Sequence, residues 1–563
     1  MVNPVTKTNC RIAALRIAAL RITACRITAC RITASRTAAF RITAFIAGLA
    51  ILAIASPAFA QDPPDRFDQN SERQRENRER ALLEEMVLSL PALIEAESRY
   101  YKLLTIPLLD GMVMEVSGLA QLSDGRMMVA TRRGEVFIVE NANGDPPEPV
   151  FKRYAFGLAQ PLGLLELDGW IYFAQRGELS RMRDTDGDDR ADVFETVTDA
   201  WELSGNYHEY AFGPRQTPDG KLWVSLNIPF DQEPYGAADW RGWAARVDPA
   251  TGETEFVAAG LRSPSGIEVS PWGDVFYTDN QGEWNNASKL SHIEVGDFHG
   301  HPHGMPSIDL PGSLVDSIPD GLPRSGTWMK DLHEEIPSYK MPSVWFPYVK
   351  MGQAPSGLKW DTTGGAFGPF EGQLFIGDQH HAMVMRVFLE EIDGHWQGAV
   401  FNFRRGLQSG VIRLAFGADD SLFIGMSARG WGSIGPDPFG FQRLVWTGET
   451  PFEIHEMHAR SDGFELTFTQ PVDRASAADP ASYRMESYTY RLSRSYGGPE
   501  DDKLELDITS AEVAADGMSV RLTIDPIRAG YVHELHLPGV RNAAGEGLLH
   551  PAAYYTLVNI PQR

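Results

Sequence analysis

Cysteine is nearly absent: the 563 residues hold three, Cys10, Cys25 and Cys30, and none beyond. All three precede an export-type leader end, in which basic residues, the apolar run ITAFIAGLAILAIA and the stretch SPAFA lead to Gln61, so cleavage is expected after Ala60. An exported chain without thiols excludes disulfides, thiolate metal sites and a covalently attached c-type haem. Long apolar runs are equally scarce. The leader's run is short for a bilayer and nothing comparable follows, which excludes a membrane span after cleavage. Positive charge is also in deficit, with 51 Lys and Arg against 75 Asp and Glu and a formal net charge of −24. Such a field argues against nucleic acid and anionic lipid as partners. The expected location is the periplasm or the medium.

What is present is repetition. GLAQLSDGRMMVATRRGEVFIVE (118–140), GLLELDGWIYFAQRGELSRM (163–182), YAFGPRQTPDGKLWVSLNI (210–228), GIEVSPWGDVFYTDNQGEW (266–284), GLKWDTTGGAFGPFEGQLFIGDQ (357–379) and IRLAFGADDSLFIGMSARGWG (412–432) share one plan. Each has an apolar strand, a turn rich in Asp and Gly, and a second strand of aromatic and β-branched residues. One such sheet cannot cover both its faces, so the copies must stack, and closing them into a ring removes the open edges. The fold class expected is all-β: a six-bladed β-propeller over 100–447, closed by YKLLTIPL (101–108), followed over 448–563 by a small Ig-like β-sandwich of about seven strands. Residues 1–60 are the leader, and 61–99 a polar linker ending in one helix.

Several stretches carry chemistry. DTDGDDRADVFE (184–195) alternates Asp184, Asp186 and Asp188 as oxygen-rich calcium loops do, with the Arg190 carbonyl and Asp192 or Glu195 to close the shell. Its other reading is a solvated acidic turn. His208, in GNYHEYAFGP, stands ahead of a blade's inner strand, where an imidazole can take a proton from a substrate hydroxyl or simply be structural. Arg262 and Ser263 occupy the same point of the next blade; the arginine suits a carboxylate or carbonyl, or a salt bridge between blades. Asp279, Asn280, Gln281 and Glu283 crowd round Gly282 just beyond a strand, a density of oxygen donors that suits a hard cation, a polar ligand or a hydrogen-bonded turn. His299, His301 and His303, like His380 and His381, read as loop residues. Arg413 and Arg429 lie on the last copy.

The succession Gln160 with PLGLLELDGWIYFAQRGEL, DTDGDDRAD, His208 with PDGKLWVSLN, LRSPSGIEV with TDNQGEW, APSGLKW and RGWGS resembles the soluble quinoprotein glucose/sorbosone dehydrogenase family. It is similar in particular to the secreted dehydrogenase-like propellers often joined to cytochrome c or haem-binding modules. The resemblance implies oxidation of a sugar, aldose or alcohol by hydride transfer to pyrroloquinoline quinone held with calcium. It would make His208 the base and Arg262 the group polarising the quinone. Gln160, Ser263, Asp279, Asn280, Gln281 and Arg413 or Arg429 would face the cofactor, and the carbonyls of Gly282 and Glu283 would hold the calcium. Two positions depart from the family pattern: Ser263 stands for an asparagine and Glu283 for a proline. No lysine has a place opposite the cofactor carboxylates. Electrons would leave through a separate cytochrome or other acceptor. Two other classes stay open: a non-catalytic propeller that binds glycan or a redox partner, and a calcium-dependent lactonase.

Overall fold

A computed structural model describes residues 81, 88–230, 235, 236 and 238–562. The expected leader, and the linker up to residue 80, lie outside the described residues. The chain divides into two compact units, 1–68 and 69–563, and every described residue belongs to the second. Among the described residues no helix is long and apolar enough to cross a membrane.

Five four-stranded antiparallel sheets are the blades of a β-propeller. The first comprises Val116–Gln121, Met127–Thr131, Val136–Glu140 and Val150–Ala155. The second holds Leu165–Leu167, Trp170–Gln175, Glu178–Arg183 and Val193–Thr198. The third is built from Ala211–Gln216, Leu222–Leu226, Trp243–Val247 and Thr254–Ala259, and the fourth from Pro264–Val269, Val275–Asp279, Ser288–Ile293 and Val344–Phe346. In the fifth, Val411–Phe416, Leu422–Ser427 and Phe439–Trp446 take Tyr101–Thr105 as their outer strand, with Tyr101 opposite Trp446.

The copy over 357–379 departs from the expectation of six separate sheets. Its strands Pro355–Trp360, Leu374–Asp378, Met383–Ile392 and His395–Arg404 open a sheet of eleven. The outer strand is ten residues long, and its unpaired backbone edge is taken by Ala552–Leu557, with Gly398 opposite Thr556. Pairing an edge in this way satisfies donors that would otherwise face water. The strands after Trp446 are thus paired with that hairpin rather than lying apart from it. The seven strands there, from Ile454–Arg460 to Ala552–Leu557, continue the sheet that opens at Pro355, and Phe388, Ala399 and Phe401 of that sheet lie in one core with Phe464, Leu522, Leu535 and Tyr555.

The first strands of the sheets, together with Pro355–Trp360, touch one another in order round the centre. Glycine makes this approach feasible. A Cβ on Gly163 would lie 2.3 Å from the Gly213 carbonyl oxygen, and one on Gly266 2.0 Å from that of Ser356. Because the first two strands of a sheet are antiparallel, the start of one lies beside the end of the other. Residues preceding first strands and residues following second strands consequently gather at one end of the propeller, and the candidate site is made from them.

Candidate functional site

His208 lies three residues ahead of Ala211–Gln216, and the loop that carries it is pinned from within. Glu209 accepts from the amides of Ser204 and Gly205 and from the Ser204 hydroxyl. Asn206 accepts from the amides of His208, at 2.9 Å, and Phe230, at 3.1 Å. The imidazole is buried. Its Nδ1 lies 2.8 Å from the Ile228 carbonyl oxygen, which can only accept, so the proton is on Nδ1 and Nε2 keeps its lone pair. Ser263 Oγ accepts from Asn227 and faces Nε2 at 3.2 Å, where its hydroxyl donates. Burial, and then the Arg262 charge, push the imidazole pKa down to about 3. The ring is thus neutral at any ordinary pH.

Arg262 and Ser263 precede Pro264–Val269, and Asp279 closes the neighbouring strand. Asp279 accepts from the Arg262 amide at 3.0 Å and the Ser263 amide at 2.7 Å, so it shapes the turn and has no oxygen aimed outward. The Arg262 guanidinium, itself buried, donates through Nε and Nη2 to one oxygen of Glu283, at 2.9 and 2.6 Å. It lies in the space a side chain at position 282 would need, since a Cβ on Gly282 would stand 1.8 Å from its Cζ. Phe230 and Tyr496 face it at 5.8 and 5.2 Å, distances at which a ring face attracts a cation. Tyr207, Phe230 and Trp431 meet in pairs at 6.0–6.3 Å between centroids, and each lies within 6.3 Å of the His208 ring. A buried imidazole, a hydroxyl and a balanced ion pair thus sit under an aromatic rim. Such a grouping suits a ring that carries both apolar faces and hydroxyls.

The structure brings His208, Arg262, Ser263, Asp279, Gly282 and Glu283 together, but not in the roles expected of all six. The Gly282 carbonyl, one of the two expected to hold calcium, accepts the Gly497 amide at 3.0 Å. Gln281 donates to the Asn286 carbonyl, and the Asn280 carbonyl accepts from Asn285, which makes this stretch a hydrogen-bonded turn. Arg413 is in the central channel, not at the site: it donates to the carbonyls of Ser265, Ile412 and Leu162 and stacks on Phe212. Arg429 is exposed and turned to Glu115, and reaches the site only through its carbonyl, which Arg132 links to the Tyr210 hydroxyl. Gln160 sits in a left-handed turn, φ 54°, and no hydrogen bond among the described residues joins it to His208 or Arg262. Of the groups assigned to a quinone and its calcium, Arg262, Asp279, the Gly282 carbonyl and Arg413 are already engaged, whereas the buried Asn280 Oδ1 has no hydrogen-bond partner among the described residues. The sequence reading missed Tyr207, Phe230 and Tyr496. Only NYHEYAF and RGWGS signalled aromatics near the histidine and the last turn.

In the acidic loop the carboxylate oxygens of Asp184, Asp186 and Asp188 come within 4.8 Å of one another. Asp184 also accepts the amides of Asp186, Gly187 and Asp189. The other expected ligands are elsewhere engaged: Asp192 takes Thr185, and Glu195, on Val193–Thr198, is paired with Arg181. Arg190 lies between these residues in the same loop. His299, His301, His303 and His381, expected as loop residues, are buried.

A family described as Domain of unknown function (DUF7133) matches residues 113–304. No curated protein matches. Among solved structures the chain is similar to a glucose dehydrogenase-type oxidoreductase from Thermus thermophilus, with a TM-score of 0.44 and 20% identity over 61% of this chain and 100% of that one. It is also similar to the PQQ-bound aldose sugar dehydrogenase of Streptomyces coelicolor, with a TM-score of 0.41 and 15% identity over 61% and 98%. The soluble aldose sugar dehydrogenase of Escherichia coli in its apo form gives 0.40 and 15% over 61% and 99%.

Proposed function

We propose that this chain is a sugar dehydrogenase-like propeller, exported to the periplasm or medium, that recognises a hydroxylated ring, a sugar or related alcohol, at the site around His208. In this reading the strands of 355–404 are the sixth blade, supported by their place between the first strands of the fourth and fifth sheets, and 448–563 is an accessory Ig-like module. One observation carries the proposal. The Nε2 lone pair of His208 is fixed by the Nδ1–Ile228 hydrogen bond and lies under an aromatic rim, so a ligand hydroxyl that displaces Ser263 would donate to it. Isothermal titration with a panel of monosaccharides tests it. His208→Ala is expected to weaken binding about tenfold, the worth of one hydrogen bond left unmade in a buried site. Equal affinity in the variant would remove His208 from the site.

Oxidation of that hydroxyl is the second reading, favoured by the same lone pair, which is where a departing proton would go. It asks for a hydride acceptor, a quinone with calcium in the resembling family, and several of the residues assigned to hold that pair are engaged. Dye reduction that depends on added pyrroloquinoline quinone and calcium, and vanishes in His208→Ala, would replace recognition with catalysis. Lactone hydrolysis without quinone would replace both.

The loop at Asp184, Asp186 and Asp188 is proposed as a structural calcium turn, supported by three carboxylates converging on one point. Calcium is expected to raise the melting temperature of the protein and to leave that of Asp186→Asn unmoved. A wild-type melting curve that ignores both calcium and a chelator would make the loop a solvated turn.

A further inference from the structure

Residues 490–498 leave the C-terminal strands and run across the propeller face. The Met329 amide donates to the Tyr490 carbonyl at 3.0 Å, the Leu492 amide to that of Thr327 at 2.8 Å, and the Trp284 amide to that of Ser493 at 2.6 Å. Two further bonds lie beyond: the amides of Gly497 and Gly498 donate to the carbonyls of Gly282 and Asn286, each at 3.0 Å. The seat is close. A Cβ on Gly498 would stand 2.2 Å from Asn286 Nδ2, and one on Gly497, whose φ is 67°, 2.4 Å from Gln281 Nε2. Between these anchors Tyr496 is 55% exposed, with its ring 5.2 Å from the Arg262 guanidinium. An exposed aromatic held at both shoulders and set over a buried polar group has the form of a ligand platform, not of a core residue.

We infer that this segment is a wall of the His208 site, that Tyr496 contacts the bound ring, and that the ring is a neutral sugar. The inference rests on the sugar-binding reading and narrows it. Tyr496 offers a flat face to the C–H side of a pyranose or furanose. Arg262, the cation beneath it, already has Glu283 as its counter-charge, so a sugar acid or sugar phosphate would meet a neutral pair and not an open guanidinium.

Isothermal titration of the full chain against neutral aldoses, and against the uronic acid and 6-phosphate of the best of them, tests this. The neutral sugar is expected to bind tightest, Tyr496→Ala to lose about tenfold in affinity, and Tyr496→Phe to stay near the wild type. If the alanine variant melts early, Tyr496→Leu, which keeps bulk without the ring, decides in its place. Neutral-sugar binding by the wild type that both Tyr496→Ala and Tyr496→Leu leave unchanged overturns the inference and spares the functional reading. Tighter binding of the acid or phosphate overturns the neutral-ligand assignment. Absence of binding to every sugar in the panel overturns the functional reading and this inference with it.

Discussion

Glu97→Ala is expected to cost about 3–5 kcal/mol of stability, the range for removing one partner from a buried ion pair. Glu97 lies in the last turn of the helix over 88–98 and is 1% exposed. One carboxylate oxygen takes Arg404 Nη1 at 2.8 Å and the Arg405 amide at 2.9 Å, and the other takes His550 Nε2 at 3.0 Å. His550 is held on its second nitrogen by Glu453 at 2.6 Å. Three segments therefore meet at one carboxylate, the helix, the long hairpin and the loop at His550, and Glu453 joins them through the imidazole. Burial alone would raise the Glu97 pKa, but the hydrogen bond and charge of His550, with Arg404, hold it below the usual carboxylate value. Burial likewise works against the His550 cation, yet Glu453 and Glu97 lift its pKa to about 9. Truncation leaves a buried guanidinium with no counter-charge. Urea titration of wild type, Glu97→Ala and Glu97→Gln measures the cost, with Gln expected to recover part of it because it keeps one acceptor. A loss below about 1 kcal/mol would show that water reaches Arg404, which is incompatible with this packing.

The propeller was legible because its signals are local. In GLAQLSDGRMMVATRRGEVFIVE or YAFGPRQTPDGKLWVSLNI, an Asp-Gly turn and the alternation around it lie within twenty-odd residues, and each such unit needs neighbours to cover its faces. The merging of His395–Arg404 with Ala552–Leu557 was not legible, since nothing in either strand names a partner some 150 residues away. The site divides in the same way. His208, Arg262, Ser263 and Asp279 could be singled out because each flanks a recognisable strand. The pairing of Arg262 with Glu283 could not, although Glu283 in place of a proline was the trace it left: a carboxylate at that position removes the free cation. Tyr496 was invisible for the reason that hid the merged sheet, since it arrives from beyond the propeller altogether. Arg413 misled because a first-strand arginine can point to the mouth or down the channel, and sequence does not distinguish the two.

Buried neutral histidines should make the fold collapse in mild acid. Burial, with nearby cations adding to it, pushes His208, His381 and His533 down to about 3 and His303 and His395 to about 4, and takes His299 and His301 well below the usual value. All seven titrate near 6.5 once unfolded. Their folded pKa values are depressed, so the stability they supply is intact above pH 6.5 and drains away as the pH falls toward 4, where the unfolded chain takes up protons the native state cannot. Each contributes a slope of about 1.4 kcal/mol per pH unit once well below 6.5, and seven together approach roughly 9 kcal/mol per unit. Several groups oppose this by sign, Asp239 and Asp361 among them, whose carboxyl pKa values burial raises. Asp297, pushed up to about 7 by burial, binds its proton in the native state and offsets one of the seven. His458 and His550, lifted to about 9 against burial by Glu390 and Glu456 and by Glu453 and Glu97 respectively, contribute stability that is full below pH 6.5 and lost as pH rises through 9. Carboxylates held low act only beneath about pH 4.5 and leave the window clear. Since whole domains are stable by about 5–15 kcal/mol, cooperative unfolding is expected between roughly pH 4 and 6. Circular dichroism melts across pH 4–8 measure it, and His381→Gln should flatten the slope by one proton's worth. A melting temperature that holds level from pH 7 to 4.5 would mean that these imidazoles are charged or solvated in the native state, and with that the fixed Nε2 lone pair of His208 would also be lost.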